Sequence, residues 1–245
     1  MIIYPALDLR SGQVVRLKQG DPAQQTIYNA DPRVVARQWI DQGAHWLHVV
    51  NLDGALSAAN DNEAVVRDLV QIGEKANVRI QFGGGLRSAA DVARAADLGV
   101  SRIVLGTLAV TDPLLVADFV AQYGAERIAL ALDARDGFVT THGWQQGSAI
   151  SPAVLGQQFA ALGARHALYT DVSRDGLLGG VDAAGTAALA RATGLSVIAS
   201  GGVRDLNDIN ALIAAGDIAG VILGTALYEG RIALPEALKL ANGDA

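Results

Sequence analysis

The chain has 245 residues, 51% of them hydrophobic and 18% charged, with no cysteine and a formal net charge of −6. That is apolar material for a large core, too much for a disordered chain, with no basic block to suit nucleic acid or an anionic membrane. Disulfides and thiolate metal sites are excluded; no signal peptide is visible at Met1-Ile2-Ile3-Tyr4-Pro5 and no run reaches the roughly 18 apolar residues of a membrane span, so a cytoplasmic protein is expected.

In chain order, strands are expected at residues 2–7, 46–51, 78–82, 102–105, 128–132, 167–170, 196–199 and 220–223. Helices are expected between and after them, at 32–42, 63–75, 89–98, 113–123, 152–162, 183–192, 206–215 and 234–240. The strand runs are mostly continuous in hydrophobicity, as suits parallel strands covered on both faces. Asp31-Pro32, Asp112-Pro113 and Ser151-Pro152 each place a capping side chain before a proline that suits a first helical turn. Gly43, Gly99, Gly124, Gly163, Gly194 and Gly216 stand where helices stop. Repeated strand–helix units in this length predict an α/β fold, a single closed (β/α)8 TIM barrel rather than an open doubly wound sheet. Residues 21–29 and 137–148, where Gly and polar residues are frequent, are expected to be loops that close over a ligand.

An internal repeat supports the barrel. Leu7-Asp8-Leu9-Arg10-Ser11-Gly12 recurs as Leu132-Asp133-Ala134-Arg135-Asp136-Gly137. Gly84-Gly85-Leu86-Arg87 recurs as Gly201-Gly202-Val203-Arg204, and Ile103-Val104-Leu105-Gly106-Thr107 as Val221-Ile222-Leu223-Gly224-Thr225. The order is the same and the offsets are nearly constant, which divides the barrel into half-barrels of about 1–123 and 124–245. Two-fold pseudosymmetry then sets Asp8 and Asp133 on opposite sides of one mouth, with glycine turns on opposed rims.

Glycine turns after late barrel strands hold phosphate through backbone N–H groups and the start of a short helix. Gly201, Gly202, Gly224 and Thr225 fit that role, and Gly83, Gly84, Gly85, Gly106 and Thr107 duplicate it. The pattern points to a substrate with a phosphate at each end, with Arg87 and Ser88 as further donors; tight turns and close packing are the plainer reading. Asp8 and Asp133 end apolar strands, where barrels display catalytic groups, and suit an acid–base pair for an aldose–ketose conversion. Ion pairs with the nearby Arg10 and Arg135 are the alternative. Thr170 ends the sixth strand and is placed to hydrogen-bond a catalytic carboxylate or the substrate. Asp53, Asp171 and Asp175 either act at the site or orient loops. Trp144 either stacks on a flat heterocycle or anchors its loop. No metal-ligand spacing appears among His45, His48, His142 and His166, and His48 reads as a structural histidine within a strand.

Pro5-Ala6-Leu7-Asp8-Leu9-Arg10, followed by Val14-Val15-Arg16-Leu17-Lys18-Gln19-Gly20-Asp21, resembles the N-terminus of the ProFAR isomerases of histidine biosynthesis. The likeness continues through His48-Val49-Val50-Asn51-Leu52-Asp53-Gly54-Ala55, Gly83-Gly84-Gly85-Leu86-Arg87, Thr170-Asp171-Val172-Ser173-Arg174-Asp175-Gly176 and Gly224-Thr225-Ala226-Leu227-Tyr228-Glu229-Gly230. It implies a cofactor-free Amadori rearrangement, without a metal, of a small ribotide carrying two phosphates. The aspartate matching Asp8 is then the proton acceptor and the one matching Asp133 the donor, with Thr170 in support. Trp144, Asp171 and Gly176 join the glycine turns in the expected substrate-binding set, and a monomer is expected. Asn51 and Thr225 depart from the pattern, where Asp and a basic residue are expected. The rival readings are an isomerase that also takes phosphoribosylanthranilate, the cyclase subunit of imidazole glycerol phosphate synthase, and a non-catalytic phosphosugar-binding barrel.

Overall fold

The structure, a computed structural model, describes residues 1–57 and 62–243; the half-barrel assigned to 124–245 therefore ends just outside them. Eight parallel strands form the barrel: β1 (Ile2–Arg10), β2 (Trp46–Asn51), β3 (Arg79–Gly83), β4 (Arg102–Leu105), β5 (Ile128–Ala131), β6 (His166–Thr170), β7 (Ser196–Ser200) and β8 (Ile218–Leu223). Each pairs with the next, and β8 closes on β1 with Ile2 opposite Gly220 and Pro5 opposite Leu223. Eight helices alternate with the strands: α1 (Pro32–Asp41), α2 (Glu63–Ala76), α3 (Ala89–Asp97), α4 (Pro113–Tyr123), α5 (Pro152–Ala161), α6 (Ala183–Thr193), α7 (Leu206–Ala215) and α8 (Leu234–Asn242).

The local signals act as their chemistry requires. Asp31, Asp112 and Ser151 accept hydrogen bonds from the first turns of α1, α4 and α5, each with proline just inside the helix. The main core lies between strands and helices, where Leu7, Leu9, Leu47, Ile103, Leu130 and Val197 are fully or almost fully buried. A second cluster of Tyr4, Trp46, Val104, Ala129, Leu168, Ile198 and Ile222 fills the barrel interior. The barrel is thus a packed plug with its polar opening at the C-terminal end of the strands.

Two segments expected to be loops contain strands. Residues 21–29 form one arm of an antiparallel hairpin, Asp21–Asn29 against Gln13–Lys18, which continues from β1 through the pair Asp8 and Val15. Their polar, largely exposed side chains hide a strand whose pairing partner is the preceding arm. Within 137–148, Phe138–Thr141 pairs with Gln146–Gly147 on one side and with Ala134–Arg135 on the other in a small separate sheet. Three short helices, Leu52–Ala55, Thr107–Thr111 and Thr225–Tyr228, stand in addition to those expected from the sequence.

Candidate active site

The barrel topology sets β1 and β5 four strands apart whichever way one counts, so they face each other. Asp8 lies on β1 and Asp133 follows β5, and both line a single cavity of about 1240 Å³, its open mouth included. Asp8 accepts a hydrogen bond from Arg16 Nη1 at 2.6 Å. Burial pushes the Asp8 carboxyl up, while the guanidinium opposes that rise by favouring the charged form. Asp133 accepts one from Trp144 Nε1 at 2.8 Å and another from the Thr170 hydroxyl. Its pKa is also raised by burial, and only these neutral donors oppose the rise.

The expected arginine partners are displaced. Arg10 donates instead to the Pro22 carbonyl at 3.0 Å and to Gln25. Arg135 donates to the Trp144 carbonyl at 3.5 Å. Arg16 takes the place expected of Arg10 because the hairpin brings it back over the mouth.

Asp175 is a third carboxylate in the same cavity. Burial pushes it up to about 6, with Arg16 opposing and Asp8 and Asp133 adding to the rise. Asp171 instead accepts from Ser173 and from Arg174 Nε at 2.8 Å, and lines neither the main cavity nor the recess beside it. Of the two candidates beyond strand six, the one outside the expected set faces the site. Among the described residues no group of three His, Cys, Asp or Glu side chains converges as metal ligands would.

Gly83, Gly84, Gly85, Arg87, Gly106 and Thr107 form one edge of the cavity. Gly176, Gly201, Gly202, Gly224 and Thr225 line a smaller recess that shares Arg16, Asp175 and Ser200 with it. At Gly85 a Cβ would stand 2.6 Å from Gly54 Cα, and at Gly202 2.6 Å from the Gly180 carbonyl, both with positive φ. Glycine is needed there so that each turn can lie against the backbone beyond the neighbouring strand. Gly106 and Gly224 precede the short helices Thr107–Thr111 and Thr225–Tyr228, which have no side-chain cap. Asp or Ser caps α1, α3, α4, α5, α6 and α7.

Other predicted residues hold the loops. Arg87 donates to the Gly54 and Ala55 carbonyls at 3.0 and 2.8 Å, and Ser88 caps α3. Thr107 Oγ1 accepts the His142 N–H at 2.9 Å. Asn51 accepts the Gly54 N–H at 3.1 Å, and the buried Asp53 accepts from the Ser11 N–H and from Asn62. A Cβ on Gly176 would meet the Leu17 carbonyl at 2.9 Å, so this turn clasps the hairpin. Trp144 leans on Gly20 at the hairpin tip, where an added Cβ would lie 2.6 Å from its ring. Trp144 therefore anchors its loop and binds Asp133 at once. His48 is buried on β2, with Nδ1 2.9 Å from Gln81 Nε2.

The family model described as "Histidine biosynthesis protein" matches residues 2–233. A Granulibacter bethesdensis protein is 47% identical over 98% of both chains. One from Syntrophomonas wolfei is 45% identical over 99% of both, and one from Moorella thermoacetica 44% identical over 100% of both. All three are named 1-(5-phosphoribosyl)-5-((5-phosphoribosylamino)methylideneamino)imidazole-4-carboxamide isomerase.

Proposed function

The chain belongs to the histidine biosynthesis protein family, and from that membership we propose that it carries out the isomerisation for which its relatives are named. The substrate in that name holds two 5-phosphoribosyl groups, hence one phosphate at each end. The two glycine rims take these phosphates. The chain reads as two half-barrels, 1–123 and 124–245, each giving one carboxylate and one rim. The uncapped starts of the short helices at Thr107 and Thr225 offer N–H groups that have no partner within the helix.

Between the rims an aminoaldose becomes an aminoketose. Asp133 protonates the ribose ring oxygen, the C1–O bond breaks, and a C1=N iminium remains. Asp8 takes the C2 proton, and the freed electron pair forms the C1=C2 bond of an enolamine. Protonation at C1 and loss of the C2 hydroxyl proton then give the ketone. Arg16 suits Asp8 to the base role by favouring its charged form against burial. Asp133, with neutral donors only, is left better able to hold a proton. The observation that carries the reading is that Asp8 and Asp133 come from opposite strands into one cavity flanked by both rims.

Asp175, pushed up to about 6, supports a second assignment in which it and not Asp133 delivers the proton. Asp133→Asn and Asp175→Asn measured side by side separate the two: the donor is the one whose loss stops ring opening. Assay of the purified protein with the bisphosphorylated ribotide tests the function itself. Conversion to the ketose is expected, and its absence under saturating substrate contradicts the proposal. Phosphoribosylanthranilate as second substrate distinguishes a dual-specificity enzyme. The working form is a cytoplasmic monomer acting on this small molecule, with no nucleic-acid or membrane partner; no helix among the described residues is long and apolar enough to cross a membrane.

A further inference from the structure

Below the carboxylates the barrel holds a buried polar chain that the proposed acid–base steps leave unused. Arg102, at the start of β4, is 5% exposed and lies 4.7 Å from the centre of the Trp46 ring. Its guanidinium donates to the Tyr4 hydroxyl at 3.2 Å, to Gln81 Oε1 at 3.3 Å and to the Glu126 carbonyl at 3.2 Å. Arginine can only donate, so Gln81 must present its oxygen to Arg102 and its NH2 to the opposite side. That NH2 lies 2.9 Å from His48 Nδ1. Nδ1 is therefore the acceptor, and the single proton of the neutral imidazole sits on Nε2. Burial and then Arg16 hold the His48 pKa down, to about 3, so the ring stays neutral at any working pH.

His48 also lines the cavity that holds Asp8, Asp133 and Asp175. It pairs with Ala6, two residues before Asp8 on β1, so it stands one inward-facing position below the base. With Nδ1 occupied by Gln81, the ring nitrogen left for the cavity is Nε2.

We propose that His48 is a further catalytic residue, whose Nε2–H donates a hydrogen bond to the C2 oxygen of the opened sugar, and that Gln81 and Arg102 are the positioning residues that fix this tautomer. The proposal rests on the isomerase reading. Asp8 works on the C2 proton, so the oxygen on the same carbon lies beside this stretch of barrel wall. When the C2 hydroxyl loses its proton, negative charge gathers on that oxygen, and a fixed donor lowers the cost. A neutral imidazole stabilises the charge and keeps its own proton, and its donor is oriented before the substrate arrives.

Gln81→Glu tests the tautomer with little change of shape. The carboxylate accepts from Arg102 as before, but its second oxygen accepts a hydrogen bond from His48 Nδ1–H, which selects the tautomer that leaves Nε2 as an acceptor facing the cavity. Nitrogen-15 NMR of the ring, assigned by comparison with His48→Gln, should show Nε2–H in the wild type and Nδ1–H in Gln81→Glu. Turnover of Gln81→Glu and of His48→Phe should fall by about 10²-fold with KM changed far less, as for loss of one oxyanion donor. His48→Gln, whose amide can still donate, should keep more activity than His48→Phe. A wild-type ring protonated on Nδ1 overturns the proposal, as does wild-type turnover in His48→Phe. If the wild-type protein fails to convert the ribotide, the isomerase reading falls and this proposal with it. If it converts the ribotide and His48→Phe matches it, this proposal alone falls.

Discussion

Asp8 and Asp133 hold equivalent places on opposite walls of the barrel, and the turns around them repeat closely. Gly84 and Gly85 have φ of 99 and 79°, against 85 and 80° for Gly201 and Gly202. The first pair packs against Asn51 at the end of β2 and Gly54 just after it, the second against Asp171 and Gly180 beyond β6. The Arg87 N–H donates to Asp91 at 3.0 Å, and the Arg204 N–H to Asp208 at 2.7 Å. The carboxylate neighbours, in contrast, differ in charge. Asp8 has a guanidinium at 2.6 Å, whereas Asp133 has an indole N–H at 2.8 Å and a hydroxyl. A repeat can therefore place two like groups while loops of unlike sequence set their proton affinities. The hairpin after β1 supplies the cation, and the small sheet after β5 supplies the indole.

The largest expected effect breaks the pair outright. Asp8→Asn should cut kcat by about 10³-fold or more with an unchanged far-ultraviolet circular dichroism spectrum, within the usual span for a general base. Asp133→Asn should match it if Asp133 is the donor. Next comes removal of the asymmetry. Arg16→Gln takes away the cation that favours charged Asp8, so burial acts alone and the Asp8 pKa rises further. The acid limb of the kcat/KM profile should move to higher pH, with a loss of about 10²-fold near neutrality. An unmoved limb would show that Arg16 does not set the charge of Asp8.

Asp175 sharpens the comparison through stability. Its folded-state pKa of about 6 lies above the ordinary aspartate value of 3.8, so the folded protein binds this proton more tightly than the unfolded chain. Stability from this group is then present at low pH and is lost as pH rises from about 4 to about 6. Asp175→Asn should raise Tm above pH 6 and make no difference below pH 4. A gain of about 2–3 kcal/mol is the ceiling for a shift of roughly two pKa units. The smallest effect is that of Trp144→Phe, which deletes the donor at 2.8 Å from Asp133 but keeps a ring against Gly20. A drop of roughly tenfold in kcat is expected, with the Asp133 pKa moving up. An equal loss in Trp144→Phe and Arg16→Gln would erase the distinction between the two walls.

The barrel was legible because its signals are local. Continuous apolar runs, Asp-Pro and Ser-Pro starts, and glycine stops each act within a few residues. Gly43, Gly99, Gly124, Gly163, Gly194 and Gly216 all adopt positive φ in the structure. The partner of Asp8 was not legible, because Arg16 reaches it only through the hairpin register that sets Asp8 opposite Val15. Arg10, closer in sequence, looked the better partner and turns toward Pro22. The run Val14-Val15-Arg16-Leu17-Lys18 held a strand signal, which the polar stretch after it masked. Asp171 and Asp175 share one loop and one chemistry. What separates them is that Asp171 is taken up by Ser173 and Arg174, a turn geometry that composition does not encode. The inward-facing His48 carried the same ambiguity, since its tautomer depends on Gln81 and Arg102 from two other strands.

The most direct test of the paired carboxylates follows one atom. Substrate deuterated at C2 of the reacting ribose, given to wild-type protein in a single turnover, should form ketose with a primary isotope effect and release the label to solvent. Folded Asp8→Asn should keep the label and form almost no ketose over about 10³ wild-type half-lives, the span a general base commands. Release of the label by Asp8→Asn at the wild-type rate would contradict the account, because some other group would then be taking the C2 proton.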